Sequence, residues 1–71
     1  MSTVATAREA GRAWADRRWS ELTPRQRPIV WSPTMVAADR QCERAGLPLY
    51  CARTVQQYAA DRWRELQAGK R

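Results

Sequence analysis

Apolar residues recur along most of this chain at intervals of three and four positions, which is the spacing of one face of an α-helix. Thr6 and Glu9 fit a capping box, in which each side chain bonds the other residue's backbone N–H, so a first helix is predicted over about 6–21. An earlier start at Ser2 or Thr3 is the alternative. The small residues of its apolar stripe would let another helix approach closely. That stripe, with Trp19 at its edge, comprises Val4, Ala7, Gly11, Trp14, Ala15 and Leu22.

The segment TPRQRPIVWSP, residues 23–33, interrupts this pattern with three prolines. Proline removes a backbone donor and pushes the residue before it out of the helical region, so an extended connection is predicted here. The apolar triplet 29–31 is too hydrophobic for a free linker, and at least one of its side chains should cover the core. The basic pair Arg25 and Arg27 is expected to stay in solvent.

Ser32 followed by Pro33 is a strong signal for a helix start, because a capping hydroxyl precedes a proline at the first helical position. A second helix is predicted over about 33–45. Gly46 is well placed to follow it in a left-handed conformation, with Leu47 folding back onto the last turn. The apolar positions of this helix are Met35, Ala38, Cys42 and Ala45.

A third helix should begin between Leu49 and Ala52, and it is predicted over about 51–67, before Gly69 stops it. β-branched residues are scarce and no run alternates convincingly, so strands are not expected beyond a short extended piece. The sequence therefore predicts an all-α fold, a compact three-helix domain that spans residues 1–71. The apolar stripe of the third helix is Cys51, Val55, Tyr58, Ala59 and Leu66. Its opposite face carries no acid and comprises Arg53, Gln56, Gln57, Ala60, Arg64 and Gln67.

Composition adds a strong positive charge to this picture. The 71 residues carry 13 basic and 7 acidic side chains, for a net charge of +6. All basic residues except Lys70 are Arg, whose planar fork binds phosphate, carboxylate or guanine. An anionic partner is the first hypothesis, and a coding bias toward Arg is the alternative. No stretch is apolar enough to span a membrane or to act as a secretory signal, so a soluble cytoplasmic protein is expected.

The sequence lacks the residue patterns of an enzyme. It has no His, no glycine-rich phosphate loop and no nucleophile elbow, so neither catalysis nor a small-molecule substrate is expected. Cys42 and Cys51 without any His form no plausible metal site, and no cofactor is implied. Both thiols are interpreted as small buried apolar residues, and a disulfide between two helix ends is the alternative.

Three features of residues 35–66 occur together: a small residue within a helix at Cys42, the turn 45–47, and the run 53–55 leading the next helix. With them this segment resembles a helix-turn-helix DNA-binding unit. In such units the second helix lies in the major groove of double-stranded DNA, and its first turns meet base edges. Residues 47–51 are a longer turn than the tight version of the motif has.

The resemblance implies which side chains would contact DNA. Because Arg pairs with the guanine edge and Gln with the adenine edge, Arg53, Gln56 and Gln57 would read bases. The phosphate contacts would come from Arg62 or Arg64 and from the loop pair Arg25 and Arg27.

A regulator that binds a protein is the alternative, because Trp and Arg are enriched at interface hot spots. Such a chain would be a phage-type modulator of a host enzyme, for example RNA polymerase or a defence nuclease, and its partner would be a protein of the transcription or defence machinery. Its docking residues would be Arg18, Trp19, Trp31, Arg62 and Trp63. Both interpretations describe a non-enzymatic regulator.

One phrase occurs twice, as WADRRWSEL over residues 14–22 and YAADRWREL over residues 58–66. Shared packing against the second helix explains the matched apolar positions, and it leaves Arg18 and Arg62 inside the apolar stripes. A charge there is costly unless it is paired or reaches water. If both Arg side chains bond the Glu three residues later, the repeated phrase has a structural role. If they point outward beside their Trp, it is a binding surface.

Overall fold

The computed structural model describes residues 3–27 and 32–69, and it contains three α-helices. They are α1 (Thr3–Glu21), α2 (Met35–Ala45) and α3 (Ala52–Gly69), and a short 3-10 helix, Leu49–Cys51, leads directly into α3. No strand occurs in these two ranges. The predicted all-α three-helix domain is confirmed, and the first helix takes the earlier of its two predicted starts.

The start of α2 differs from the prediction by two residues. Thr34, not Ser32, is the N-cap, and its hydroxyl accepts a hydrogen bond from the Ala37 N–H at 3.2 Å. Pro33 lies outside the helix because its carbonyl accepts a hydrogen bond from the Gln56 side chain of α3 at 2.8 Å. A long-range bond thus decides between two local capping signals.

The end of α2 is as predicted. Gly46 adopts φ 70° and ψ 28°, a left-handed conformation. Its N–H donates to the Glu43 carbonyl at 3.2 Å, and the Leu47 N–H donates to the Cys42 carbonyl at 2.8 Å. These two bonds form a Schellman motif. Residues 46–48 separate α2 from the 3-10 helix, and α3 itself begins at Ala52, within the predicted range of starts.

The first part of the connection is folded and not extended. The backbone N–H groups of Gln26 and Arg27 both donate to the Thr23 carbonyl, at 2.9 and 3.1 Å. The Thr23 N–H donates to Gln26 Oε1 at 2.9 Å, and the Gln26 N–H donates to the Thr23 hydroxyl at 3.3 Å. Thr23 and Gln26 thus form a capping box, a signal that the prolines obscured. Residues 28–31, including the apolar triplet expected to cover the core, lie outside the described residues.

Long-range contacts define the directions of the helices. Gly11 lies against Val55, and further along α1 the Trp19 ring meets Trp63, so α1 and α3 run parallel. Arg17 and Gln41 are hydrogen-bonded, and Ala45 lies beside Ala10, so α2 runs antiparallel to α1. The contact between α1 and α3 is the most extensive in the fold.

Small side chains fill most of the core. Its wholly buried residues include Ala7, Ala15, Ala38, Cys42, Val55 and Ala59. Three predicted stripe residues are instead exposed: Val4 at 52%, Met35 at 43%, and Ala45. All three lie in terminal turns of their helices, where the neighbouring helix no longer covers them.

Gly11 marks the closest approach of α1 and α3. A Cβ atom built on Gly11 would lie 2.5 Å from the Val55 carbonyl oxygen and 3.1 Å from the Ala59 nitrogen. The expectation that small residues on α1 allow a close helix contact is confirmed. No helix within the described ranges is long and apolar enough to cross a membrane.

Candidate nucleic-acid interface

The outer face of α3 presents the polar side chains that the sequence singled out. Arg53 and Gln57 are both exposed and stand one helical turn apart, about 6 Å along the axis. That rise is close to two base-pair steps of DNA, which measure about 3.4 Å each. Arg64 lies on the same side two turns further along, and its side chain is 73% exposed. These three side chains, the α3 stripe, form one exposed row along the helix.

The chain that forms the first half of the α3 stripe carries no acidic residue. No Asp or Glu occurs from Arg44 to Ala60. Asp61 is the first acid, and its carboxylate accepts a hydrogen bond from Arg64 Nη1 at 2.8 Å. Exposed ion pairs of this kind are weak, so a phosphate could compete for Arg64.

Two exposed residues that sequence reasoning missed stand where the stripe begins. Tyr50 is 79% exposed and Leu49 is 58% exposed, in the 3-10 turn just ahead of Arg53. Their position after Pro48 and outside every apolar stripe was the available signal. They place an apolar and a hydrogen-bonding group on the surface that leads into α3.

Gln56 is less exposed than Arg53 and Gln57, the other two residues predicted to read bases. It is half-buried, and its Nε2 donates to the Pro33 carbonyl at 2.8 Å. This bond holds the segment that precedes α2 against α3. Gln56 is therefore a structural residue in this fold, and a role in reading bases would require it to release Pro33.

The two Arg residues of the connection, Arg25 and Arg27, also differ in exposure. Arg25 is exposed, as expected. Arg27 is half-buried, contrary to the expectation that it stays in solvent, because its Nε donates to the Trp19 carbonyl at 3.0 Å. Its guanidinium also lies 4.6 Å from the centre of the Trp19 ring, a cation–π arrangement. Arg27 thus fastens the connection to the end of α1.

The aromatic residues proposed for protein docking are largely internal. Trp63 is only 4% exposed, so its ring is buried within this fold. Its ring centre lies 5.1 Å from that of Trp19, with the planes inclined at 73° in an edge-to-face pair. Trp19 is half-buried between Trp63 and Arg27. Trp31 lies outside the described residues.

Arg62 is bound by two acids. Its Nε donates to Asp16 at 2.8 Å and its Nη1 donates to Glu65 at 3.0 Å. Arg12 also reaches Glu65, at 3.3 Å, so a network of four charges joins α1 to α3. The hydrogen bond to Asp16, followed by that to Glu65, raises the pKa of Arg62, and the bonds from Arg62 and Arg12 lower the pKa of Glu65.

The repeated phrase is explained by the parallel arrangement of α1 and α3. The two copies lie side by side, so that Trp19 of one meets Trp63 of the other. They pack mainly against each other, and α2 contacts both helices less extensively. Arg62 bonds Glu65 and is part of the architecture. Arg18 is exposed and forms no ion pair within residues 3–27 and 32–69, so the two copies differ in role.

Comparison with protein families, with curated proteins and with solved structures found no significant match. In the described part of the chain, no group of three or more His, Cys, Asp or Glu side chains could hold a metal ion. Cys42 and Cys51 are free and buried, as predicted. Burial raises the pKa of the Cys42 thiol, and its proximity to Cys51 and Asp39 adds to that effect.

Proposed function

We propose that this protein is a non-enzymatic regulator of transcription that binds double-stranded DNA through the α3 stripe. The observation that carries the proposal is the exposed pair Arg53 and Gln57, one turn apart on an acid-free stretch near the start of α3. Arg53 would bond the guanine edge and Gln57 the adenine edge. Arg64 and Arg25 would contact phosphates.

The placement of the Trp and Arg clusters favours this proposal over docking through those clusters. A protein partner could reach neither the buried Trp63 nor the ring of Trp19 without displacing Arg27. Arg62 would have to leave two carboxylates. By contrast, Arg53 and Gln57 need no rearrangement to meet a ligand, because both side chains are exposed.

The experiment first selects duplexes from a random-sequence pool with the full-length protein and then measures the affinity of the selected site by fluorescence anisotropy. Replacing Arg53 by alanine should weaken binding by about 1–3 kcal/mol and relax the sequence preference at one base pair. Gln57→Ala should do the same at a neighbouring base pair. The affinity should also fall steeply with rising salt concentration, because the phosphate contacts release counterions.

Arg40 provides the matched control, because it is an exposed Arg of α2 that lies outside the α3 stripe. Arg40→Ala removes the same charge as Arg53→Ala but should leave the sequence preference unchanged. The proposal is wrong if the pool yields no enriched duplex. It is equally wrong if Arg53→Ala and Arg40→Ala weaken binding alike at every site.

A further inference from the structure

A second charged surface lies between α1 and α2. Two adjoining cavities of about 250 and 380 Å³ share Arg17, Gln41 and Arg44 in their walls, and together they form one open groove, the α1–α2 groove. Every residue that lines it comes from α1 or α2. The groove is therefore separate from Arg53 and Gln57 on α3, and a ligand could bind there whether or not the protein binds DNA.

The α1–α2 groove concentrates guanidinium groups that the protein does not neutralise. Arg17, Arg18 and Arg44 line it, whereas Glu21 is its one acid. None of these three Arg side chains forms an ion pair within the described residues, although Arg12, Arg62 and Arg64 all do. Three guanidinium groups, each with several N–H donors, thus remain available to a ligand.

The guanidinium of Arg17 is already held in position by a hydrogen bond. Arg17 Nη2 donates to Gln41 Oε1 at 2.7 Å, which draws the guanidinium across the groove from α1 to α2. The remaining N–H groups of Arg17 can still donate, because a guanidinium has five. Since less side-chain freedom is lost when a prearranged group binds, this bond favours recognition of a carboxylate.

The shape of the groove indicates an extended ligand. Its lining includes the buried Trp14, and the small side chains of Ala10, Ala37 and Ala45 leave the groove unfilled. From Ala37 to Ala45 it runs about 12 Å along α2, at about 1.5 Å per residue. An extended peptide advances about 3.3 Å per residue, so roughly four residues would fill that length.

We propose that the α1–α2 groove binds an acidic, extended peptide segment of a protein partner. Carboxylates of the segment accept paired hydrogen bonds from Arg17, Arg18 and Arg44. Glu21 accepts a backbone N–H of the peptide, a donor that a phosphate chain lacks. Single-stranded nucleic acid fits less well, because it stacks bases on exposed aromatic rings and Trp14 is only 8% exposed.

The test is a titration of the isotopically labelled full-length protein, followed by NMR, with a capped peptide of alternating Glu and Ser. Saturable shifts are expected at the backbone amides of Gln41 and Arg44 and at the Arg17 side chain. The same peptide with Gln in place of Glu should bind at least about tenfold more weakly, because charge-assisted hydrogen bonds are roughly twice as strong as neutral ones.

Variants of the protein separate the groove from general charge. The double variant Arg17→Gln/Arg44→Gln should lose at least about tenfold in peptide affinity. The double variant Arg40→Gln/Arg53→Gln has the same net charge and should keep most of the affinity. Arg18→Gln provides a further check, because Arg18 forms no ion pair within the described fold and its loss should leave the far-UV circular dichroism unchanged.

Three results would overturn the proposal. The peptide shifts could spread over the whole surface, or the two double variants could weaken binding equally, and either result would mean unspecific attraction. A short oligothymidylate could instead shift the same amides at lower concentration than the peptide, which would make the groove a nucleic-acid site. Failure of the DNA proposal would show in a separate measurement, as duplex binding that does not change when Arg53 is replaced. That result would leave the outcome of the peptide titration unaffected.

Discussion

Replacing Gly11 by alanine should destabilise the protein, although alanine is the better helix former. The new Cβ would lie 2.5 Å from the Val55 carbonyl oxygen, 3.0 Å from the Tyr58 Cβ and 3.1 Å from the Ala59 nitrogen. The nearest of these atoms belongs to the backbone of α3, so no side-chain rotation relieves the contact. The helices would have to separate by roughly 1 Å to restore ordinary van der Waals distances.

The magnitude follows from two opposing effects. Overpacking of this kind costs about 1–3 kcal/mol. Glycine to alanine within a helix gains about 1 kcal/mol. Because the clash involves the backbone of the largest interface, the upper part of the first range applies, and a net loss of about 1–2 kcal/mol is expected. In a domain of this size that loss lowers the melting temperature by roughly 5–15 °C.

The other two glycines provide controls for this measurement, which uses thermal and urea unfolding followed by circular dichroism. Nothing lies within 4 Å of a Cβ built on Gly69, so Gly69→Ala should be neutral or slightly stabilising. Gly46→Ala should cost about 1–2 kcal/mol through its left-handed backbone alone, and Gly46→Asn should recover part of that loss. A Gly11→Ala protein as stable as the wild type would refute the close packing of α1 on α3.

Three further predictions concern the aromatic pair, the ion-pair network and the thiols. Trp19→Ala should lower the free energy of unfolding by less than the roughly 3–5 kcal/mol typical of a fully buried Trp, and it should expose Trp63 to fluorescence quenchers; unchanged quenching would contradict the edge-to-face pair. Arg62 and its neighbours hold the pKa of Glu65 below its ordinary value of 4.5, so Glu65 stabilises the fold above that pH and the contribution is lost as pH falls through the lower, folded-state pKa. The stability of a Glu65→Gln variant should therefore change less on acidification than that of the wild type in urea unfolding, and equal acid sensitivity would argue against the network. Cys42, wholly buried and with a raised pKa, should react with iodoacetamide only on the timescale of unfolding; rapid labelling of the native protein would contradict its burial.

Local patterns in the sequence predicted most of the helical structure for identifiable reasons. The stripe of Ala7, Gly11 and Ala15 predicts a face that packs closely against another helix, because small side chains at helical spacing let two backbones approach each other. Gly46 ends α2 as predicted, because only glycine enters the left-handed region without a steric cost. The acid-free face of α3 was visible for the same reason, since helical geometry alone decides which residues share a face.

Two of the predictions that went wrong involve residues for which the sequence offers more than one suitable local arrangement. Ser32 and Thr34 are both suitable N-caps, and the choice depends on the bond from Gln56 to the Pro33 carbonyl. An Arg side chain such as Arg27 can either extend into solvent or stack on an aromatic ring, and here its guanidinium lies over the Trp19 ring. Each deciding contact comes from a part of the chain that the local pattern does not include.

The sequence by itself determined three helices, the glycine that ends α2, and which faces are apolar or positively charged, because these depend on residues within a few positions of one another. Only the tertiary structure decided how the two copies of the repeated phrase are used. The parallel alignment of α1 and α3 brings Trp19 onto Trp63 and carries Asp16 to Arg62, 46 residues away in the chain. The same alignment leaves Arg18 without a carboxylate partner in the described fold, beside the groove between α1 and α2. Two similar stretches therefore differ in role, because a side chain's partners depend on the helix packed against it and not only on its own neighbours in sequence.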